Sequence, residues 1–208
     1  MTWYLFLYKK KMTFLNLCLS LYDIKTDFKM IIKKYETERL ILRQWQESDI
    51  APFAKMNRDP EVMKYFPKTL SFEETLEMYD RWKDNKNGFG FYPAEEKISG
   101  KFIGFVGLNI PSYMPDCVEI GWRLKKEFWG RGYATEAAKK WLEIGFDEYD
   151  LKEIISFTAK QNIKSQKVME RIQLRRDEKR DFFHPKIPKE HPLAFHVFYA
   201  LQNPNKRK

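Results

Sequence analysis

The sequence predicts a single α/β domain built on a mixed sheet. Three observations carry this: strand-length apolar runs alternate with apolar stripes of helical spacing, no internal repeat or linker-like break in composition divides them, and 208 residues at 43% hydrophobic and 16% aromatic content suffice for one sizeable core. The coarse order is β, α, α, β, β, β, α, β, α, β, β.

The first strand is Arg39-Leu40-Ile41-Leu42-Arg43, short, apolar and bounded by polar residues. Ser48 offers an N-cap to a helix whose stripe is Ile50, Phe53, Ala54 and Met56, ended by Pro60. A second helix is signalled by the capping box Ser71-Phe72-Glu73-Glu74, with Leu76, Tyr79 and Trp82 on one face, and should stop near Asn87-Gly88. Phe89 to Tyr92 and Phe102 to Leu108, around a polar turn from Glu95 to Gly100, read as a hairpin or meander. Cys117 to Leu124 is the next strand, followed by a helix carrying Ala134, Ala137, Ala138, Trp141, Leu142 and Phe146. Ile154 to Thr158 is a strand, Asn162 caps a short helix through Met169 and Ile172, and terminal strands occupy roughly 174–182 and 193–201.

Two cysteines, Cys18 and Cys117, are too few for a disulfide framework or a zinc site, which fits a reducing cytoplasm. The formal charge of +9 suits nucleic acid, an anionic surface or an acidic small molecule. Basic and acidic residues are interleaved from Glu36 to Glu190, and no nucleic-acid recognition module appears, so a solvated basic surface is preferred. The apolar runs Trp3–Tyr8 and Phe14–Tyr22 are each too short to span a bilayer, and the order of basic and apolar segments does not fit a secretory signal. Residues 1–30 are therefore read as an extension outside the fold, with Met30 the working start and residues 31–208 the domain.

The motif that carries chemistry is Trp129-Gly130-Arg131-Gly132-Tyr133-Ala134-Thr135-Glu136-Ala137, between a strand and an amphipathic helix. Glycines permit a tight turn with amides pointing inward, and a helix N-terminus favours an anion such as a diphosphate, which Arg131 would reinforce. A plain glycine turn is the alternative. The residues lack the Gly-Lys-Ser/Thr of a P-loop, and Thr135 stands where a dinucleotide fingerprint needs a third small residue.

Three segments together resemble the GNAT superfamily of N-acetyltransferases: Val118-Glu119-Ile120-Gly121-Trp122, the glycine turn Trp129–Ala137, and Asn162-Ile163-Lys164-Ser165 through Glu170. The chain is most similar to the RimJ/RimL branch, which acetylates ribosomal-protein N-termini; its opening Glu36 to Arg43 resembles that branch's first strand, and the likeness runs over roughly 35–202.

The resemblance implies a mostly antiparallel sheet split by a V-shaped cofactor cleft, with acetyl-CoA as cosubstrate and no metal. It implies that Trp129, Gly130, Arg131, Gly132, Tyr133, Ala134 and Thr135 wrap the coenzyme diphosphate, although Trp129 occupies a position usually Gln or Arg. Strand amides around Ile120, Gly121 and Trp122 would border the pantetheine arm and thioester. Asn162 would contact the coenzyme, and Ser165 would contact it and donate a hydrogen bond or proton to the thiolate.

An ammonium of ordinary pKa needs a base, and Glu119 is the only acid on the cleft strand. The alternative is that Glu119 faces solvent or pairs with a lysine. His184, His191 and His196 lack metal-like spacing and read as loop or strand residues. The branch usually carries a glycine where this chain has Gln173, which puts the left-handed end of the short helix in question. The acceptor is a primary amine, on a protein N-terminus, possibly ribosomal, or on a small molecule, in a pocket between Phe53–Trp82 and Phe182–Pro192. A homodimer is compatible with the family. A non-catalytic acyl-CoA-binding regulatory module is the competing reading, against which Glu119 and Ser165 both weigh.

Overall fold

The computed structural model describes residues 34–84 and 90–206, so the expected extension 1–30, the helix stop at Asn87-Gly88 and Phe89 lie outside the described residues. Nine strands form one mixed, mostly antiparallel sheet: β1 (Tyr35–Glu36), β2 (Leu40–Leu42), β3 (Gly90–Glu96), β4 (Lys101–Asn109), β5 (Glu119–Leu124), β6 (Glu153–Ala159), β7 (Arg175–Arg176), β8 (Phe182–Phe183) and β9 (Phe195–Gln202). Among the described residues four α-helices flank it: α1 (Ile50–Arg58), α2 (Phe72–Trp82), α3 (Tyr133–Glu143) and α4 (Ile163–Arg171). Spatial order is β1-β2-β3-β4-β5-β6-β9-β7, with β8 also on β9.

Local chemistry explains most element ends. The Ser71 side chain accepts the Glu74 N–H at 3.2 Å, and the Glu74 carboxylate accepts the Ser71 N–H at 2.9 Å, closing the expected box. Ser48 does not cap α1. It lies inside a 3-10 turn, Glu47–Asp49, that runs straight into the helix, and the Asp49 carboxylate closes that turn by accepting the Gln46 N–H at 2.9 Å while Arg43 holds it at 2.7 and 2.9 Å. The strand expected over 174–182 is broken into β7 and β8 by a turn at Glu178–Arg180. Its charged residues take ion partners there instead of extending: Arg176 pairs with Asp181, and Arg180 reaches Glu153 at 2.7 Å.

The two faces of the sheet carry separate cores. Leu40, Leu42, Val106, Leu108, Ile120 and Leu124 pack against Ala137, Ala138 and the fully buried Trp141 of α3. On the other face Trp45, Phe53, Met56, Tyr79, Phe102 and Phe105 pack with α1 and α2. Burying these aromatic bodies supplies much of the apolar driving force. Within the stretch expected to border the acceptor, Phe53, Met56 and Tyr79 are core residues, whereas Ala54, Lys55, Arg58 and Phe72 line an open cavity on the outer side of α1.

Candidate active site

The site begins where two parallel strands part. β5 and β6 share one register pair, Glu119↔Ile155, fixed by the Ile155 N–H donating to the Val118 carbonyl at 2.9 Å. The Ser156 hydroxyl donates to the Ile120 carbonyl at 2.8 Å. The Val118 and Ile120 carbonyls both turn toward β6, so strand alternation puts the main-chain groups of Trp122 on that same edge, facing the widening cleft. Gly121 lies in the opposite phase, on the β4 side, in register with Gly107.

At the carboxyl end of β5 the chain makes the glycine turn. Gly130 and Gly132 have φ of 75° and 82°, a region that side-chain-bearing residues seldom enter. Gly132 sits at the N-cap of α3, so the amides of Tyr133, Ala134 and Thr135 open the helix without an intrahelical acceptor. A Cβ on Gly130 would meet nothing within 4 Å. Space beside the turn, free-ended helix amides and the exposed guanidinium of Arg131 suit an anionic diphosphate.

The side chains of the turn have structural duties. The Trp129 indole N–H donates to the Leu124 carbonyl at 2.8 Å. Tyr133 is buried and its hydroxyl donates to Glu96. Arg39 clasps Glu136 in the first turn of α3 and donates to the Arg131 carbonyl at 2.9 Å. That clasp was not visible in the sequence, because nothing local links β2 to a helix so far along the chain.

Asn162 and Ser165 arrive at the same end. The Asn162 side chain accepts the Ser165 N–H at 3.2 Å and donates to Thr158 at 3.0 Å, so it caps α4. Ser165 is half-buried. Lys164 places its ammonium 4.7 Å from the Trp129 ring centroid, which brings the start of α4 against the glycine turn.

Glu119 lies on the opposite face from α3 and α4, with Gly121 and Arg123. A Cβ on Gly121 would come 3.0 Å from the Phe91 ring, and Phe91 is in register with Gly107, so that ring lies across two glycines beside Glu119. Although the residue is half-buried, desolvation pushes the Glu119 carboxyl up to about 8, partly offset by a hydrogen bond from Asn109. Arg123 hydrogen-bonds Asn57 at 2.7 Å and lies 4.1 Å from the Phe66 ring centroid; desolvation draws its guanidinium down to about 10.

Further along this face stand Tyr113, Phe157, Phe182, His184 and His196, which sequence spacing did not group. The register Phe182↔His196 and Ala159↔His196 assembles them. Tyr113 Oη lies 2.8 Å from His184 Nε2, and Tyr113 feels the Glu119 charge. Among the described residues no cluster of His, Cys, Asp or Glu is placed to hold a metal ion, and no helix is long and apolar enough to cross a membrane.

Comparison with known proteins agrees with this architecture. Residues 39–175 match the family model described as an acetyltransferase (GNAT) domain. The uncharacterized N-acetyltransferase YnaD of Bacillus subtilis is 30% identical over 168 residues, covering 79% of this chain and 94% of the relative. A GNAT-family acetyltransferase structure from Bacillus anthracis superposes with a TM-score of 0.70 at 26% identity, over 82% of this chain and 99% of that one. Spermidine N-acetyltransferase from Vibrio cholerae, in complex with CoA and spermine, shares the fold with a TM-score of 0.66 at 20% identity, over 80% and 97% of the two chains. With its family model spanning most of the described fold, this chain belongs to the GNAT acetyltransferases and is an acetyltransferase.

Proposed function

We propose that the chain moves an acetyl group from acetyl-CoA to a primary amine by direct attack, with Glu119 receiving the amine proton. The observation that carries this reading is the single-rung parting of β5 from β6 beside the glycine turn. Acetyl-CoA supplies the activated acyl group as a thioester. In this reading the amides from Arg131 to Thr135, opened by Gly130 and Gly132 behind Trp129, hold its diphosphate, while the Ile120–Gly121–Trp122 edge borders the pantetheine.

The amine nitrogen attacks the thioester carbon, the carbon–sulfur bond breaks, and the sulfur leaves with its electron pair. Ser165 donates a hydrogen bond to that sulfur, and Asn162 positions Ser165 by capping its N–H. The raised pKa of Glu119, about 8, makes its ionised form a stronger base than an ordinary carboxylate, and an arriving ammonium would favour that ionised form. Cys117 takes no part. The reading places catalysis in residues 31–208, in the cytoplasm, with a homodimer as the assembly and a protein N-terminus of the RimJ/RimL kind among the acceptors.

The test is titration calorimetry of the protein with acetyl-CoA beside Gly132→Trp, which fills the turn. Binding that the variant loses, followed by amine-dependent thiol release that Glu119→Gln and Ser165→Ala depress, is the expected result. A folded wild type that binds no acetyl-CoA would overturn it.

A further inference from the structure

We infer that the acceptor amine is carried on an apolar or aromatic group that rests against the wall formed by Tyr113, Phe157, Phe182 and His184, and that polyamines are excluded. The inference rests on the acetyltransferase reading above and deepens it by naming the class of acceptor.

Position comes first. Glu119 and Ile155 are register partners and share a face of the sheet, so Phe157, two residues further along β6, stands on the Glu119 face as well. Phe157 and Phe182 meet edge to face at 5.3 Å, Tyr113 lies 6.2 Å from Phe157, and His184 stacks on Phe182 at 6.3 Å and 29°. Every one of these four rings is only half-buried, so together they present a surface to solvent. Tyr113 couples electrostatically to Glu119, so this surface lies within reach of the carboxyl that takes the proton.

Charge then selects the occupant. Two of the nearby acids on β6 and the β7–β8 connection already hold arginines: Asp181 binds Arg176, and Glu153 binds Arg180 at 2.7 Å; Asp177 adds its charge to the field at Arg180. Arg180 also lies 3.8 Å from Cys117 Sγ, two residues before Glu119, and Lys186 places its ammonium 5.8 Å from the Tyr113 ring. Burial, with help from His196 and Lys186, holds His184 down to about 4, so it is neutral at physiological pH. A first ammonium has Glu119. A second would meet Arg180 and Lys186, and the acids nearest the wall, Asp116 and Glu178, are solvent-exposed and weakened by screening. Flat rings beside a single available carboxylate therefore complement a monoamine with an apolar or aromatic body, which gains by stacking and by leaving water.

The histidine tautomer supports a neutral wall. The Lys186 N–H donates to His184 Nδ1 at 3.3 Å, which leaves the ring proton on Nε2, donating to Tyr113 Oη. Tyr113 is thereby oriented with its own proton available to a polar atom of the acceptor.

The test measures thiol release from acetyl-CoA with phenethylamine, butylamine and spermidine. Phenethylamine should exceed spermidine in kcat/KM by about tenfold or more, the range a shaped pocket achieves. Phe182→Ala should remove that preference through KM while calorimetric affinity for acetyl-CoA stays unchanged. Phe182→Leu, which keeps an apolar residue beside β9, should keep the fold and lose most of the aromatic preference. Spermidine equal to or better than phenethylamine, a preference that survives both substitutions, or no turnover of any of the three amines by protein that binds acetyl-CoA would each overturn the inference. Absence of acetyl-CoA binding by folded protein is a separate result, which overturns the acetyltransferase reading itself.

Discussion

Arg39, at the edge of β2, and Glu136, in the first turn of α3, are locked together by three contacts: Nε to Oε2 at 2.7 Å, the Arg39 main-chain N–H to Oε1 at 2.8 Å, and Nη2 to Oε2 at 2.6 Å. Because Nη1 also donates to the Arg131 carbonyl at 2.9 Å, one side chain holds both the helix and the glycine turn that precedes it. The Arg39 side chain is 42% exposed, so its removal should cost stability only modestly, about 1 kcal/mol or less. Arg39→Ala should instead weaken acetyl-CoA binding about tenfold, equivalent to roughly 1.4 kcal/mol, by releasing the turn. Calorimetry beside a melting curve checks this; undiminished affinity would mean that the turn keeps its shape without the clasp.

Glu119 ties activity to stability with opposite signs. Its folded-state pKa of about 8 lies above the ordinary carboxylate value, so between those two values the unfolded chain has released the proton and the folded chain retains it. The group therefore lowers stability as pH rises through that window. Glu119→Gln should match the wild type near pH 4, become the more stable of the two by pH 8, and transfer acetyl groups far more slowly. Denaturant midpoints at the two pH values, with rates at pH 8, test it; a variant less stable than wild type at pH 8 would contradict the assignment.

Features set by neighbours in the chain were legible in the sequence. The Ser71–Glu74 box spans three residues, and the glycine turn and the α3 stripe through Trp141 are equally local. Two local expectations missed. Ser48 does not cap α1 because it sits within a 3-10 turn, Glu47–Asp49, that passes directly into the helix, a turn held by the Arg43–Asp49 ion pair. The strand expected over 174–182 broke because its charges found ion partners. Tyr113 and His184 stand 71 residues apart and meet only because β8 pairs with β9 in one register. Histidine spacing carries no trace of that pairing. Glu119 was identifiable as the acid on the cleft strand, but the burial that raises its pKa, against neighbours such as Phe91, and the Asn109 hydrogen bond that partly offsets it are both supplied by tertiary packing.

Asn57 joins α1 to the cleft strand. It is fully buried, donates to Thr75 at 3.2 Å and accepts from Arg123 Nη1 at 2.7 Å. Replacing it with alanine leaves a desolvated guanidinium short of a partner, which should cost about 1–3 kcal/mol. Arg123→Met in the same chain removes the charge that needs the partner, so the double variant should recover part of the loss. Urea denaturation of the two single variants and the double variant gives the coupling; simple additivity would show that the Asn57–Arg123 bond contributes little.

The end of α4 offers a gain. Gln173 has φ of 69° where a glycine would be at ease, and around it the chain closes a complete helix stop: the Leu174 N–H reaches the Met169 carbonyl at 3.0 Å and the Gln173 N–H reaches Glu170 at 2.9 Å. Leu174 and Met169 are both buried against the α3 core, and their contact holds the stop in place despite the unfavourable residue. Packing thus retains a left-handed conformation that disfavours a side chain by roughly 1 kcal/mol. Gln173→Gly relieves that cost but gives the unfolded chain more freedom, and the first effect should prevail at a left-handed position. The expected outcome is a rise in thermal midpoint of a few degrees, about 1 kcal/mol or somewhat less, with acetyl-CoA affinity unchanged because Ser165 and Asn162 lie at the other end of the helix. A lower midpoint would show that Gln173 makes a compensating contribution through its side chain.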